Sequence, residues 1–290
     1  FLVRLRGKAL FGTVAALELF VDEARKRRSR SYRVSLRLHR PLDRPESGMP
    51  RERLSVVPCR RVGTELHGYT EWGSRTPEIP SRVVNEHGIS PTIFSVMRQQ
   101  YPEAETGCLY EWEGIKYLVD TLALSYHAQA PDYDKYPTAL CEMAEKYIKD
   151  KKPAMLAVCF DQLDHTGHAV GHDTPGYYEK LKELDGYVGR IIAAIKEAGI
   201  YDDTIIMMTA DHGGIKKGHG GITLQEVEIP FIIAGKNVRK GGEFQESMMQ
   251  FDTAATMGYV FGVKQPQVWI IKWHTRWKKQ CLIYQALPSL

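Results

Sequence analysis

Residues 154–214 read AMLAVCFDQLDHTGHAVGHDTPGYYEKLKELDGYVGRIIAAIKEAGIYDDTIIMMTADHGG. Two short apolar runs, 154–160 and 204–209, bracket a long stretch of helical periodicity. An unbroken apolar run of that length fits a strand buried on both faces of a parallel sheet. Between the runs, Tyr178, Leu181, Leu184, Val188, Ile191, Ile192 and Ile195 recur at the spacing of one helix face. Thr174 and Pro175 predict the N-cap and first turn of that helix, and Gly199 its stop. The segment between Phe160 and Thr174 reads as a His-rich loop. Outward from this core, residues 229–234 predict another strand, and 81–86, 91–99 and 136–149 predict helices. Strands alternating with helices predict an α/β fold with a largely parallel central sheet flanked by helices.

The composition is that of a globular chain: 290 residues, 43% hydrophobic and 26% charged. This excludes disorder, collagen and disulfide-scaffold classes for most of the length. No run of about 18 apolar residues is present, so no membrane-spanning helix is expected. The five cysteines (Cys59, Cys108, Cys141, Cys159 and Cys281) form no CxxC pair and are expected to be free, mostly buried thiols. The net charge of +4 hides an asymmetry. Residues 1–61 carry 16 Lys and Arg against 6 Asp and Glu, and 14 of those 16 are Arg. A nucleic-acid-binding arm is disfavoured, because the stretch lacks interleaved aromatics and a clean helical face. An Arg-rich, Lys-poor stretch is also what out-of-frame translation produces, and both chain ends are expected to be atypical. Three segments are therefore expected: an Arg-rich segment 1–62, a readable domain 63–270 and an atypical tail 271–290.

Five of the ten histidines fall between His165 and His219. Asp161, Asp164, His165, His168 and His172 come after the first apolar run. Asp211 and His212 come after the second, and His219 lies just beyond within Gly218-His219-Gly220-Gly221. In open α/β sheets ligands bind beyond the carboxyl ends of strands, so both clusters are expected on one sheet edge. Carboxylate with neutral imidazole is a donor set for zinc and similar divalent ions. A single His beside Asp is more often a surface pair or a cap; three such clusters exceed what capping explains.

Asp164-x-x-Gly167-His168 with Gly171 resembles the D-x-x-G-H signature of the alkaline phosphatase superfamily, in its type I phosphodiesterase/nucleotide pyrophosphatase branch. Asp211-His212-Gly213 resembles that superfamily's D-H-G motif, and the His219 segment with Glu226 and Pro230 resembles the segment just downstream of that motif. Gly63-Thr64-Glu65-Leu66-His67-Gly68 resembles the segment downstream of the nucleophile, without its usual proline. The resemblance implies two divalent metal ions, usually zinc. Asp164, His168 and His219 would hold one, and Asp211 and His212 the other. Asp161 and His165 repeat the spacing of Asp164 and His168, but Gly167 and Gly171 match the motif only in the latter register. Asp161, His165 and His172 are then alternate ligands or groups that orient the ligands.

The implied activity is metal-dependent hydrolysis of a small phosphate ester or nucleotide by a Ser or Thr nucleophile. That hydroxyl is expected near Arg51, where Ser55 is the weak candidate, and Asp22 is the candidate for the remaining acidic ligand. The alternatives are a catalytically impaired metal-binding fragment, or a sulfatase or phosphate-mutase relative. Trp72, Tyr110, Trp112 and Tyr117 read first as core aromatics and second as groups that stack on a base. The resemblance implies export to the periplasm or medium. Residues 1–21 make a weak signal peptide, because Glu18 interrupts the apolar stretch.

Overall fold

The computed structural model describes residues 91–238, 252–267 and 269, together with the short strands β1 (Leu2–Leu5), β2 (Lys8–Ala9), β3 (Val84–Asn85) and β4 (Gly88–Ile89). After these come α1 (Ile93–Gln100), β5 (Thr106–Tyr110), α2 (Ile115–Leu118), β6 (Tyr126–Gln129) and α3 (Ala139–Lys151). The chain continues through β7 (Met155–Cys159), α4 (Gln162–Val170), α5 (Pro175–Glu197), β8 (Thr204–Thr209), α6 (Leu224–Val227), β9 (Phe231–Gly235) and α7 (Asp252–Phe261).

The seven-stranded sheet has the order β6-β5-β7-β1-β8-β9, with β2 pairing β1. Strands β5, β6 and β7 are mutually parallel. Strand β1 is antiparallel to both β7 and β8, so β7 and β8 point the same way. Strand β9 closes the edge antiparallel to β8. The carboxyl ends of β7 and β8 therefore lie on one sheet edge, and the acidic clusters begin immediately after them.

Side chains alternate across the buried strands as period 2 requires. Met155 and Ala157 of β7 join Ile205 and Met207 of β8 in a core with α1 and α7, around Phe94, Met97, Met257, Phe261 and Trp269. Leu156 and Ile206 face the opposite way, into a core with α3 and α5 around Leu140, Ile148, Ile191 and Ile195. Each fully buried Leu, Ile, Met or Phe among them contributes about 1.5–3 kcal/mol on burial. The long helix α5 begins where its sequence predicts: the Thr174 hydroxyl accepts from the Tyr177 N–H at 3.3 Å, and Pro175 occupies the first turn. It ends at Glu197, just before Gly199 at φ 69°.

Two expectations are corrected. Residues 84–85 form strand β3, paired with β4, rather than part of a helix. The segment after Phe160 is not a loop: α4 runs from Gln162 to Val170. The free thiols among the described residues are Cys108, Cys141 and Cys159, the first two buried. No helix among the described residues is long and apolar enough to cross a membrane.

Candidate metal centre

The carboxylate of α4's own N-cap residue, Asp161, makes no capping bond. The cap comes from Glu111, directly after β5 and only 5% exposed. One Glu111 oxygen, Oε2, accepts from the backbone N–H groups of Asp161 (2.6 Å) and Gln162 (3.2 Å); the other, Oε1, accepts from the Gln162 amide at 2.6 Å. Its own N–H donates to the Cys159 carbonyl at 3.1 Å, tying β5 to the end of β7. An anion at a helix N-terminus satisfies orphan donors and complements the dipole. Burial raises the Glu111 carboxyl above its ordinary range, opposed by these hydrogen bonds. Glu111→Ala strands three donors, and is expected to lower the unfolding free energy in urea by about 2–3 kcal/mol. The helix ends at Gly171, whose φ of 101° is closed to most other residues.

One turn apart on this helix, Asp164 and His168 face each other, with His168 Nε2 3.2 Å from Asp164 Oδ2. His219 joins them: its Nε2 lies 3.0 Å from His168 Nε2 and 3.6 Å from Asp164 Oδ1. One donor atom from each of the three lies within 4.8 Å of the others. The other nitrogen of His168, Nδ1, is 2.9 Å from the Lys217 carbonyl oxygen. A carbonyl only accepts, so Nδ1 carries a proton, and whenever the ring is neutral its lone pair is at Nε2, turned inward. His172 repeats the pattern, with Nδ1 3.0 Å from the Lys216 carbonyl and Nε2 3.8 Å from Asp164 Oδ1. So does His212, with Nδ1 2.8 Å from the Gly213 carbonyl and Nε2 3.3 Å from Asp211 Oδ2.

Three imidazoles thus turn Nε2 towards two carboxylates, as lone pairs when the rings are neutral. Asp164 Oδ1 is buried and has no hydrogen-bond partner. Lone pairs facing an unsatisfied anionic oxygen are unfavourable until a cation lies among them, and the donor set suits zinc. The fit of these residues to a divalent cation rests on that orphaned oxygen and the shared tautomer. Burial lowers the His219 pKa, and the neighbouring His212 lowers it further, which favours the neutral, ligating form. The protein packed around Asp211 raises its carboxyl pKa, although 36% of the side chain remains exposed.

Of the residues expected at the site, Asp164, His168 and His219 come together as one group. Asp211 and His212 adjoin it, the His212 ring stacking on His219 at 3.9 Å between centroids. Buried His172 lies beneath, against Gly167 and Gly214. Asp161 and His165 leave the group: Asp161 accepts from the Tyr133 hydroxyl at 2.8 Å, and His165 lies 3.8 Å from Asp134. Tyr110 is buried and Trp112 packs on the core, whereas Tyr117 is 42% exposed. Ser55, Asp22, His67 and Trp72 lie outside the described residues. Sequence reasoning misses Glu111 and the Lys216 and Lys217 carbonyls. A glutamate directly after a strand is the one signal that marks Glu111. The carbonyls carry no side-chain signature at all.

The family model for type I phosphodiesterase / nucleotide pyrophosphatase matches residues 64–226. Among curated proteins, the chain is 28% identical over 142 residues to the human "GPI ethanolamine phosphate transferase 2, catalytic subunit", covering 47% of this chain and 14% of that protein. It is 30% identical over 112 residues to phosphopentomutase of Agathobacter rectalis, covering 38% of this chain and 27% of the relative. The chain therefore spans only a small part of these relatives. Among solved structures, a 2-O GAG sulfatase aligns with TM-score 0.55 at 14% identity, over 75% of this chain and 62% of its own. A putative sulfatase from Bacteroides thetaiotaomicron aligns with TM-score 0.53 at 13% identity, over 74% and 61%. These last two similarities concern the fold.

Proposed function

The chain belongs to the type I phosphodiesterase/nucleotide pyrophosphatase family of the alkaline phosphatase superfamily, and from that premise we propose that it is a metal-dependent phosphoric-ester hydrolase acting on a small phosphate ester or nucleotide. The observation that carries this reading is the Asp164–His168–His219 group, with its buried, unpartnered Asp164 oxygen. Asp164, His168 and His219 would hold one divalent cation, zinc by the chemistry of the donors, and Asp211 and His212 would serve a second. When bound, such a pair supplies Lewis acidity that neutralises phosphoryl charge.

The chain's own residues do the positioning. The Lys217 and Gly213 carbonyls fix the His168 and His212 tautomers, so neither ring has to reorganise to present Nε2. Glu111 fixes the start of the helix that carries Asp164 and His168. The nucleophile would be a Ser or Thr hydroxyl upstream, with Ser55 as the candidate.

The test is zinc content together with hydrolysis of bis(p-nitrophenyl) phosphate, before and after chelation. His168→Ala is expected to lose one zinc and reduce turnover by more than about 100-fold, the upper range for mere outer-shell partners of a metal site. His165→Ala, exposed and turned towards Asp134, is expected to stay within about twofold. Equal behaviour of the two variants would overturn the ligand assignment. Zinc bound without hydrolysis would favour the catalytically impaired relative instead.

A further inference from the structure

Downstream of His219 the chain runs through Gly220-Gly221-Ile222-Thr223 into α6, and within α6 Glu226 is only 6% exposed. One of its carboxylate oxygens, Oε1, accepts from the Gly221 N–H at 2.8 Å. The other, Oε2, accepts from the Thr223 hydroxyl at 2.6 Å and from the Thr223 N–H at 3.2 Å. The Thr223 hydroxyl and the Gly221 N–H hold the carboxyl below its ordinary range. The main chain of the same residue holds the other segment. Its carbonyl accepts from the Gly213 N–H at 2.9 Å, and the Gly213 carbonyl takes His212 Nδ1. Glu226 thus grips the chain two positions after His219 and one position after His212, and the rings of these two histidines stack on each other.

Starting α6 does not require all of these bonds. In a capping box the third helical residue reaches back only as far as the N-cap N–H, which here is that of Thr223. The bond to Gly221 lies outside the helix, on the way to His219. Gly221 is suited to it. A Cβ at that position would lie 2.4 Å from Glu226 Oε2, and Gly221 is not among the glycines with positive φ. The carboxylate, rather than the backbone, is therefore what requires a glycine there.

We propose that Glu226 is a positioning residue of the metal group: its carboxylate sets the main chain that presents His219, and its carbonyl keeps that chain in register with Asp211 and His212. This rests on the reading of Asp164, His168 and His219 as metal ligands. Asp164 and His168 share α4, whereas His219 comes from a separate segment. Its Nε2 lies 3.0 Å from His168 Nε2, so a shift of the turn at 219–223 displaces one donor of the three. A metal site tolerates misplacement of its donors by only about 0.5 Å, and groups that orient ligands carry part of its affinity.

The experiment measures zinc affinity of the full chain by competition with a chromophoric chelator, beside urea unfolding of the chelated protein. Glu226→Ala should weaken zinc binding about tenfold, the lower end of the range for groups that orient metal ligands. Gly221→Ala leaves Glu226 in place but drives its carboxylate off the turn, and should do the same. Glu226→Gln keeps one accepting oxygen and should fall between these variants and the wild type. Thr92→Ala is the control for a purely structural cap: it removes the N-cap hydroxyl of α1, which accepts from the Ser95 N–H at 3.1 Å. It should lower the urea midpoint and leave zinc affinity within about twofold. If Glu226→Ala and Gly221→Ala behave like Thr92→Ala, Glu226 only starts α6 and the proposal is overturned alone. Weakening by Glu226→Ala with Gly221→Ala silent also overturns it, because the effect would not run through the turn. A chain that takes up no zinc overturns the functional reading, and the proposal with it. A wild type that binds zinc but hydrolyses no phosphate ester overturns the functional reading and leaves the proposal standing.

Discussion

Asp164→Asn is expected to separate metal binding from folding. In the metal-free chain Asp164 Oδ1 is a buried anionic oxygen without a hydrogen-bond partner, faced by His219 Nε2 at 3.6 Å and His172 Nε2 at 3.8 Å. Its sister oxygen Oδ2 faces His168 Nε2 at 3.2 Å, and in the neutral ring that nitrogen carries a lone pair. A carboxamide removes the buried charge and offers an N–H to one of these acceptors. The gain is of the order of a single hydrogen bond, about 1 kcal/mol. The same exchange removes the one anionic donor of the three-residue group. Zinc affinity, measured by competition with a chromophoric chelator, should then fall by more than about 100-fold. The urea midpoint of the chelated protein should hold or rise. A variant that kept its zinc affinity would show that Asp164 is no ligand. One whose metal-free form lost more than about 1 kcal/mol would show that the carboxylate stabilises the fold.

The range of the interactions decides which elements are legible in the sequence. Strands β7 and β8 and helix α5 are legible because their burial is written in consecutive residues: apolar runs for the strands, one apolar face and a local Thr174-Pro175 start for the helix. The edge strand β6, Tyr-His-Ala-Gln from Tyr126 to Gln129, has no apolar run, because it is the sheet's margin and is mostly exposed. Helix α4 is concealed for a different reason. Its stabilising cap is Glu111, 50 positions earlier in the chain, so no local window contains both halves of the bond. The Asp164 register is legible through Gly167. The structure supplies a reason: a side chain at 167 would run into His172, whereas nothing comparable attends the Asp161 register. No pattern of residue types encodes the use of main-chain carbonyls to set imidazole tautomers, since any residue supplies a carbonyl.

Gly214→Ala should be among the most damaging single-methyl changes in the chain, and His172 decides its magnitude. A Cβ at Gly214 would lie 2.2 Å from His172 Nε2, 2.3 Å from Cδ2 and 2.5 Å from Cε1, inside the ring's van der Waals surface. The ring cannot swing aside. Lys216 holds its Nδ1, and on the α4 side a Cβ at Gly167 would itself come within 2.4 Å of Nε2. The strain must pass to the backbone that presents Asp211 and His212. Overpacking of this kind costs about 1–3 kcal/mol and occasionally more, and a value near the top of that range is expected in urea unfolding. The double variant Gly214→Ala/His172→Ala provides the decisive control. Removing the ring opens space for the new methyl, so the two changes should be non-additive, with His172→Ala recovering at least about 1 kcal/mol of the loss. No such rescue is available at Gly213, where the added Cβ would meet the main-chain oxygen of Gln225 at 2.1 Å. Simple additivity at Gly214 would mean that the ring is free to move, and that α4 and the Asp211–His212 segment are not joined through His172.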